Sequence, residues 1–374
     1  MKILLTGGGS GGHFYPLIAI TEAIDEIVVQ NGYKRPEFFY MGPEPYDQKN
    51  LDVHGIQFVY CPSGKMRRYF SVKNYTDPFK VIAGIFVALY KLFMIYPDVV
   101  MSKGSFTSVP IVLAAWFYRI PIVVHESDVK PGRANALGAR LATYIAISYP
   151  TAAEFFDPKK TTLTGMPMRS ELLAKKPTAP VSSLGVSGER PIISIFGGSL
   201  GAESVNSIVL QALPELLQKY DVVHQTGAAN EAPIKAEVNE LIADPNLRAH
   251  YHPFGFLAVE GMNAALSYAS LVISRAGSGQ IFEIAHHGTP SILIPIRAEI
   301  SHDQEHNALT YARTGAAIVI NENNATPHIL ISEIDRILGN QQITIEMRTA
   351  AQGFAPLDAG RTIGTLLLDI GFAH

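Results

Sequence analysis

Short apolar runs alternate along the chain with longer segments whose apolar residues recur at helical spacing. The first run, 2–6, leads into glycines and then into a helical pattern over 15–29. The same order of strand, glycine loop and helix recurs from 192–196, with the second helix beginning near Ala202. Further apolar, β-branched runs stand at 98–101, 120–124, 271–274 and 291–295. Because strands that alternate with helices form parallel sheets, the pattern predicts an α/β protein with two doubly wound, Rossmann-like domains.

The length and the linker composition indicate where the domains divide. A chain of 374 residues is longer than one hydrophobic core usually organises. The stretch 175–190 is rich in Pro, Ser, Gly and Lys and lacks an apolar period, which predicts a linker. We expect an N-terminal domain over 1–166 and a C-terminal domain over 167–350. The remaining 351–374 contains a helical pattern at 363–370, and packing of this helix back on the N-terminal domain is one alternative.

Composition and charge narrow the class of protein. Apolar residues make up 47% and the formal charge is −3, which argues for folded cores and against a protein that coats nucleic acid. Cys61 is the single cysteine, so neither an intrachain disulfide nor a cysteine zinc site can form. The first apolar run is too short for a signal peptide, and the cytoplasm is therefore the expected compartment.

One segment is strongly basic within this slightly acidic chain. Between 61 and 97 there is one acid, Asp77, and the basic residues are Lys65, Arg67, Arg68, Lys73, Lys80 and Lys91. An apolar helical pattern adjoins them, and Lys91 interrupts it below the roughly 20 residues that a bilayer span requires. The pattern is typical both of a buried helix behind a solvated basic loop and of a helix that rests on anionic lipid.

The stretch 6–13 is a glycine-rich loop between a strand and a helix, where backbone N–H groups and the helix dipole favour an anion. Gly7, Gly9 and Gly12 match a dinucleotide fingerprint, but no acid closes the second strand, which argues against a nicotinamide cofactor. His13 is a candidate to take a proton from a hydroxyl, because an imidazole titrates near working pH. A histidine that only caps the helix or binds phosphate is the alternative.

The second half of the chain offers a similar anion site. A strand that ends at Ser274 is followed by small residues and a helix, so N–H groups again face outward. Glu283 lies about one and a half turns into that helix and can reach the hydroxyls of a ribose, while an exposed acid favoured by the dipole is the alternative. Polar residues follow at 301–307, where His302 and His306 lack a third metal ligand at a suitable spacing.

At six places, in order, the residues resemble the MurG family. The motifs are 6–13 with Phe14-Tyr15-Pro16, His125-Glu126 after an apolar strand, 164–169, 197–202, 275–283, and Asp303-Gln304 with Asn307-Ala308. Together they extend over nearly the whole chain. The resemblance implies GT-B architecture, in which two domains face a cleft. It also implies inverting transfer of N-acetylglucosamine from UDP-GlcNAc to the muramyl sugar of undecaprenyl-diphosphate-linked lipid I, giving lipid II for peptidoglycan.

The resemblance further implies roles for individual residues. The donor sugar and the acceptor diphosphate are expected at Ser10, Gly11 and Gly12, and the GlcNAc hydroxyls at Gln304 and Asn307. The residues expected to bind UDP are Arg169, Ser199, Phe256, Ser278, Gly279, Gln280, Ile281, Phe282 and Glu283, with Glu283 on the ribose. His13 is the first candidate for the catalytic base, followed by Asp128, which is also expected near the sugar, and Glu126.

The chain departs from the family pattern at several positions. Ser127-Asp128 stands where the family usually has Gln-Asn, Gly104-Ser105-Phe106 replaces a Gly-Gly-Tyr loop, and Asp303 stands where a glutamine is common. These changes concern recognition of the acceptor more than binding of UDP.

The partners implied are UDP-GlcNAc, a lipid-linked muramyl-peptide acceptor and an anionic membrane surface at the cytoplasmic face of the plasma membrane, with no nucleic acid. No tightly bound cofactor or metal is expected; Mg²⁺ is compatible with the sequence but not indicated by it. The alternatives are a GT-B enzyme with a soluble acceptor, a UDP-GlcNAc epimerase of similar fold, an NAD-dependent oxidoreductase and a catalytically silent nucleotide-binding module.

Overall fold

The computed structural model describes residues 1–64, 73–174, 177, 179–198, 201–297, 302–355 and 358–373, without the side chains of 73–76, 302 and 303. The chain divides into two compact units. The first consists of Met1–Ser170 with Leu357–His374, and the second of Glu171–Pro356. These bounds lie a few residues beyond the positions 166 and 350 that the sequence predicts.

Each unit is built on a parallel sheet, so the prediction of two doubly wound α/β domains is confirmed. In the first unit the strand order is β3-β2-β1-β4-β5-β6-β7. Its strands are β1 (Lys2–Thr6), β2 (Glu37–Gly42), β3 (Ile56–Tyr60), β4 (Val99–Ser102), β5 (Ile122–Glu126), β6 (Tyr144–Ile147) and β7 (Thr161–Leu163). The strand order reverses direction between β1 and β4, the position at which ligands bind in such sheets.

The second unit repeats this plan with the strand order β10-β9-β8-β11-β12-β13. Its strands are β8 (Ile192–Phe196), β9 (Asp221–Gln225), β10 (Tyr251–Phe254), β11 (Ala269–Ser274), β12 (Ser291–Leu293) and β13 (Ala317–Val319). The corresponding reversal lies between β8 and β11.

Helices connect the strands of both sheets. They are α1 (Gly11–Asn31), α2 (Gln48–Val53), α3 (Lys73–Ile95), α4 (Val109–Phe117), α5 (Arg133–Leu141), α6 (Ser170–Leu173), α7 (Glu203–Leu216), α8 (Glu231–Leu241), α9 (Pro245–Arg248), α10 (Val259–Ser267), α11 (Ser278–His287), α12 (His302–Ala312), α13 (Pro327–Leu338), α14 (Gln341–Phe354) and α15 (Ala359–Ala373). Short 3-10 helices occur at Pro150–Phe155, Val181–Leu184 and Glu322–Asn324.

The helix α15 completes the core of the first unit. Its residues Ile363 and Leu367 are fully buried with Ile24 of α1 in one apolar cluster. Gly364 permits the close packing of the two helices, because a Cβ there would lie 3.1 Å from the side chain of Ile24. The last helix of the chain therefore belongs to the first unit, although the second unit precedes it in sequence.

The predicted linker 175–190 needs a correction. The chain passes from the first unit to the second between Ser170 and Glu171. The 3-10 helix Val181–Leu184 lies inside the predicted linker, and Leu184 and Val186 are buried in a core cluster of the second unit. Two buried apolar residues are too few to produce the apolar spacing of a helix or a strand, and the sequence of this stretch is therefore typical of a linker.

Helix α3 is apolar on two faces. Ala88 and Leu92 are buried, whereas Phe79, Ile82, Phe86, Tyr90 and Phe93 are exposed. The 19-residue stretch Asp77–Ile95 has a mean hydropathy of 1.8 and is long and apolar enough to cross a membrane by length and composition, so the prediction that Lys91 keeps it too short is wrong. Only 17% of the stretch is buried, so it is not an ordinary core helix. Of the basic residues predicted to accompany this helix, Lys65, Arg67 and Arg68 lie outside the described residues, as does the side chain of Lys73.

Replacing Leu367 by Ala tests the contribution of α15 to the first unit. The change leaves a cavity in a buried cluster, so we expect the free energy of unfolding to fall by about 2–5 kcal/mol in urea titrations. Leu137→Ala on α5 is the control, because that side chain is 38% exposed and should cost less than about 1 kcal/mol. Equal losses for the two variants would contradict the packing of α15 described above.

Candidate functional site

In the first unit, three loops meet at the carboxyl edge of the sheet. Strand β4 lies between β1 and β5, with Ser102 opposite Thr6 on one side and opposite Val124 on the other. The loops 7–10, 103–106 and 127–132 follow these strands. They therefore line the position at which the strand order reverses.

The glycine loop is held against its neighbours at very short distances. Gly7 has a φ of +149°, and a Cβ on it would lie 2.7 Å from the Cβ of Lys103. The Lys103 backbone N–H donates to the Thr6 carbonyl at 2.8 Å, and the Tyr40 hydroxyl donates to the Gly7 carbonyl at 2.7 Å. Only glycine satisfies both the backbone angle and this approach.

His13 lies in the first turn of α1, next to the loop. Its Nδ1 is 2.8 Å from the hydroxyl of Ser10, the residue that precedes the helix. Burial, together with the ammonium of Lys103, lowers the pKa of His13 to about 3. The imidazole is therefore neutral at neutral pH, available for hydrogen bonding but a weak base.

Glu126 ends β5 and fastens the loop that follows it. One carboxylate oxygen accepts from the Asp128 N–H at 2.9 Å, and the other accepts from the Gly132 N–H at 3.1 Å and from the Asn135 side chain at 2.9 Å. Burial, with the nearby carboxylate of Asp128, raises the pKa of Glu126 to about 7. Glu126 is almost fully buried, whereas Asp128 is half-buried.

Lys103 is a residue of this site that the sequence analysis missed. It has no exposed surface, and its Nζ has no hydrogen-bond partner among the described residues. Burial lowers its pKa, while the carboxylates of Glu126 and Asp128 raise it. The available signal was a lysine placed directly after a short apolar strand, at an edge where glycine loops also lie.

Arg169 belongs to the first unit, whereas the sequence placed it in a domain beginning at 167. Its guanidinium carbon lies 4.3 Å from the centre of the Tyr15 ring on α1. A Cβ on Gly11 would lie 3.2 Å from the same ring. Tyr15 therefore connects Arg169 to the start of α1, near Ser10 and Gly12.

The second unit presents the start of α11 at its own reversal point. The helix begins at Ser278, and its N-cap residue is Gly277, which has no side chain to cap the first N–H groups. Ser278 is buried, Gly279 and Gln280 are half-buried, and Glu283 is half-buried in the second turn. N–H groups at a helix start favour an anion, and the predicted binding of UDP at these residues stays a prediction.

Two of the residues predicted to bind UDP have buried side chains. Ile281 lies in a core cluster, and Phe282 is buried with its ring 5.1 Å from that of Phe354. Their spacing places them on the inner face of α11, so they support the helix rather than contact a ligand through their side chains. Phe256 is 59% exposed, and Ser199 lies outside the described residues.

Gln304 and Asn307 lie three residues apart on α12. The Gln304 side-chain carbonyl accepts from the N–H groups of Ala276 at 3.3 Å and Ile296 at 3.2 Å. The oxygen of this amide therefore connects the two loops that contain these residues. The NH₂ group of the same side chain can act as a hydrogen-bond donor. Asn307 has no exposed surface.

A charged network beneath α11 also escaped the sequence analysis. Arg275 donates to Ser204 at 2.7 Å, to Glu322 at 2.6 Å and to the Ile294 carbonyl at 3.0 Å. These bonds join the loop after β11 to α7, to the chain after β12 and to the segment after β13. They fix the loop from which α11 starts, and their partners are too far apart in sequence to be recognised by spacing.

No group of three or more His, Cys, Asp or Glu side chains suited to a metal ion occurs within the described ranges. That Mg²⁺ is compatible with the sequence but not indicated by it stays a prediction.

Two family models match the chain. Residues 3–147 match the N-terminal domain of glycosyltransferase family 28, and residues 192–360 match its C-terminal domain. The two matched regions fall in the first and the second unit, apart from the last few residues of the second region.

Curated proteins resemble the chain over almost its full length. A Bacillus cereus protein named UDP-N-acetylglucosamine–N-acetylmuramyl-(pentapeptide) pyrophosphoryl-undecaprenol N-acetylglucosamine transferase 2 is 36% identical over 97% of both chains. A Clostridium kluyveri transferase of the same description is 36% identical over 90% of this chain and 91% of its own.

Among solved structures, Acinetobacter baumannii MurG matches with a TM-score of 0.73 and 24% identity over 99% of this chain and 100% of its own. A Neisseria meningitidis UDP-GlcNAc 2-epimerase matches with a TM-score of 0.68 and 14% identity over 99% of this chain and 100% of its own. At these identities the likeness concerns the fold, which both proteins share with this chain.

Replacing Gly7 by Ala tests the close packing of the glycine loop against Lys103. The added Cβ meets the stem of Lys103 at a backbone angle that L-residues rarely adopt, so we expect a loss of about 1–3 kcal/mol in unfolding free energy. Gly12→Ala is the matched control, because a Cβ there meets only the Ser10 hydroxyl, at 3.9 Å. Alanine inside a helix should leave stability equal or higher by about 0.5–1 kcal/mol. Thermal or urea unfolding that ranks the two variants in the opposite order would contradict this geometry.

Proposed function

The chain belongs to glycosyltransferase family 28, in its MurG family, and from this premise we propose that it transfers N-acetylglucosamine from UDP-GlcNAc to the muramyl sugar of undecaprenyl-diphosphate-linked lipid I, giving lipid II. The observation that carries the proposal is 36% identity over 97% of both chains with a transferase named for this reaction. The epimerase likeness stands at 14% identity and concerns the fold, so it does not favour an epimerase.

The second unit is the proposed donor site. The start of α11, which follows Gly277, suits the diphosphate of UDP, because the N–H groups and the dipole of a helix start favour negative charge. We assign Glu283 to the ribose hydroxyls and the NH₂ group of Gln304 to the hydroxyls of the donor sugar. The exposed ring of Phe256 is available to the base.

The first unit is the proposed acceptor site, and within it we favour Asp128 as the catalytic base. A His13 with a pKa near 3 is a poor proton acceptor at neutral pH. Both Glu126 oxygens already accept hydrogen bonds that hold the next loop. Asp128 lies on that loop and is more exposed, so its carboxylate suits the hydroxyl, while His13 and Ser10 hydrogen-bond the acceptor.

The proposed step is a single displacement. The oxygen of the acceptor hydroxyl forms a bond to the anomeric carbon as the bond from that carbon to the diphosphate breaks. The electron pair of the broken bond leaves with UDP, and the hydroxyl proton passes to Asp128. Helix N–H groups at α11 stabilise the charge that develops on the diphosphate.

We also propose that α3 rests on the anionic surface of the membrane at its cytoplasmic face. Its outward side carries Phe79, Phe86 and Phe93, an apolar patch of the kind that marks an interaction surface. Trp116 and Phe117 at the end of α4 are also exposed, and the rings of Phe93 and Tyr118 lie 6.5 Å apart. A lipid-linked acceptor requires such a surface.

Transfer assays with two donors test the proposed function. The purified protein should transfer labelled GlcNAc from UDP-GlcNAc to a lipid I analogue and use UDP-GalNAc about tenfold less well, because the axial hydroxyl leaves a buried polar group unpaired. Gln304→Ala should lower kcat/KM for UDP-GlcNAc and narrow the ratio between the donors. Glu283→Gln, the control on the ribose side, should weaken both donors and free UDP by similar factors.

The outcomes test the proposed reaction and the proposed residue roles separately. Absence of turnover with either donor would contradict the proposed function. A Gln304→Ala variant that keeps the donor ratio, while UDP binding falls, would show that this amide only holds the loops at Ala276 and Ile296.

Binding to lipid vesicles tests the surface on α3. Phe86→Glu places a charge on an exposed position, so we expect about tenfold weaker binding to vesicles containing phosphatidylglycerol, and wild-type binding should fall as salt rises. Phe155→Glu is the matched control, because that ring is half exposed in the 3-10 helix Pro150–Phe155. Equal binding of the two variants to vesicles in co-sedimentation would contradict the proposal that α3 rests on the membrane surface.

A further inference from the structure

Three charged side chains meet at the carboxyl edge of the second sheet. One oxygen of Glu322 accepts from the Arg275 guanidinium at 2.6 Å, and the other accepts from the Arg297 backbone N–H at 3.3 Å. The second oxygen also forms an ion pair with the Arg297 guanidinium, 3.5 Å from its Nε. We call these three residues the Glu322 cluster. Because one carboxylate faces two guanidiniums, the cluster carries a net positive charge.

Arg297 is the exposed member of the Glu322 cluster. Its side chain is 53% exposed, whereas those of Arg275 and Glu322 are 12% and 10% exposed. Arg275 is also held by hydrogen bonds to Ser204 and to the Ile294 carbonyl. The ion pair of Arg297 with Glu322 is longer, at 3.5 Å, than an ordinary N–H···O hydrogen bond. Arg297 therefore presents the positive charge of the cluster to solvent.

The chain after β12 brings Arg297 close to the start of α11. Strands β11 and β12 are neighbours in the sheet, and the segments that follow them stay together. The side-chain oxygen of Gln304 joins these segments, because it accepts from the N–H groups of both Ala276 and Ile296. Arg297 is the next residue after Ile296, and α11 begins at Ser278, two residues after Ala276. The backbone of Arg297 therefore lies close to the loop that leads into α11.

Glu322 connects the cluster to the start of a second helix. Its carboxylate accepts from the hydroxyl of Ser204 in the first turn of α7, and Arg275 donates to the same hydroxyl at 2.7 Å. Helix α7 follows β8 and helix α11 follows β11, and the strand order of this sheet reverses between those two strands. The Glu322 cluster therefore lies at the reversal point, where ligands bind in open α/β sheets.

An exposed guanidinium at this point suits a ligand with several negative charges. The planar group offers parallel N–H donors, whose geometry matches phosphate oxygens. In the donor that the proposed function requires, the diphosphate carries the negative charge, whereas the base, the ribose and the sugar are uncharged. Charge also develops on the diphosphate as its bond to the anomeric carbon breaks. A cation beside this group would therefore assist both binding and transfer.

We propose that Arg297 is a further donor-binding residue, whose guanidinium contacts the diphosphate of UDP-GlcNAc beside the start of α11. Glu322 is a positioning residue, because it holds Arg297 through an ion pair and a backbone hydrogen bond and has little exposed surface. The assignment rests on the proposed function. It adds an arginine of the second unit to the residues expected to bind UDP, among which Arg169 belongs to the first unit.

Binding of UDP and of uridine tests the contact with the diphosphate. In Arg297→Gln the affinity for UDP, measured by calorimetry, should fall about tenfold or more, because a charge-assisted hydrogen bond is lost. The affinity for uridine, measured by ligand-observed NMR, should stay at the wild-type value, because uridine lacks the diphosphate. Equal losses for the two ligands, or an unchanged affinity for UDP, would overturn the proposal. A wild-type protein that does not bind UDP would contradict the proposed donor site as well.

Arg313→Gln is the matched control. It removes the same charge from another exposed arginine of the second unit, just after the end of α12, where the chain leads into β13 at the amino edge of the sheet. The affinity for UDP should stay within about twofold of the wild-type value, because water and salt screen a distant exposed charge. A loss equal to that in Arg297→Gln would show a general effect of charge and overturn the assigned contact.

Urea unfolding shows whether Arg297 acts on the ligand or on the fold. The midpoint for Arg297→Gln should match that of the wild type, because an exposed ion pair contributes little to stability. A midpoint that falls together with the affinity for UDP would show that Arg297 supports the fold, and it would overturn the proposal.

Transfer assays distinguish a contact with the diphosphate from a contact with the sugar. In Arg297→Gln, kcat/KM for UDP-GlcNAc should fall by a larger factor than the affinity for UDP, and Arg297→Lys should recover part of the loss because it keeps the charge. The ratio of kcat/KM between UDP-GlcNAc and UDP-GalNAc should stay at the wild-type value, because both donors carry the same diphosphate. A ratio that narrows, as expected for Gln304→Ala, would place Arg297 at the sugar and overturn the assignment. Weaker UDP binding by Arg297→Gln, with no transfer by the wild type, would support the contact and contradict the proposed reaction.

Discussion

The contact between Gly7 and the stem of Lys103 is the constraint on which the first-unit site depends. A Cβ on Gly7 would lie 2.7 Å from the Cβ of Lys103, so the glycine loop before α1 leaves no room for a side chain at this position. The side chain of the same lysine is fully buried, and burial together with its ammonium lowers the pKa of His13. The residue that packs against the glycine loop is therefore also one that shifts the pKa of a histidine next to the loop.

The two units treat a buried cation differently. In the second unit, Arg275 makes three hydrogen bonds, and its planar fork connects Ser204, Glu322 and a backbone carbonyl. In the first unit, the Nζ of Lys103 has no hydrogen bond with the described residues. The arginine therefore fixes the geometry of its loops through directed bonds, whereas the side chain of the lysine holds no loop in this way.

The sequence predicted features that depend on local pattern. Strands β1 and β8 have the predicted bounds, and the glycine loops follow them, because alternation and turn chemistry are properties of neighbouring residues. Features that depend on tertiary contacts were missed. Nothing near Lys103 in sequence shows that its side chain will be fully buried, and the inner side of α11 at Ile281 is recognisable only once its sheet is known.

The base assigned from sequence illustrates the same limit. An isolated histidine at a helix start is a reasonable proton acceptor, since its ordinary pKa is near 6.5. Burial and the ammonium of Lys103 lower the pKa of His13 to about 3, which argues against this role, and only the folded chain brings the two groups together. Chemistry inferred from residue type thus holds until the environment shifts the pKa.

The topology also connects the apolar surface of α3 to the acceptor site. In a parallel sheet the connecting helix starts at the carboxyl edge of one strand and returns to the amino edge of the next, so α3 begins at the edge where the glycine loop lies. The tight contact of Gly64, after β3, with the Asp77 backbone holds this end of the helix to the sheet. A helix that rests on lipid would then bring the anion-binding loop of the same unit close to the headgroups. The diphosphate of a lipid-linked acceptor lies at that depth, so the acceptor would meet the glycine loop without leaving the membrane.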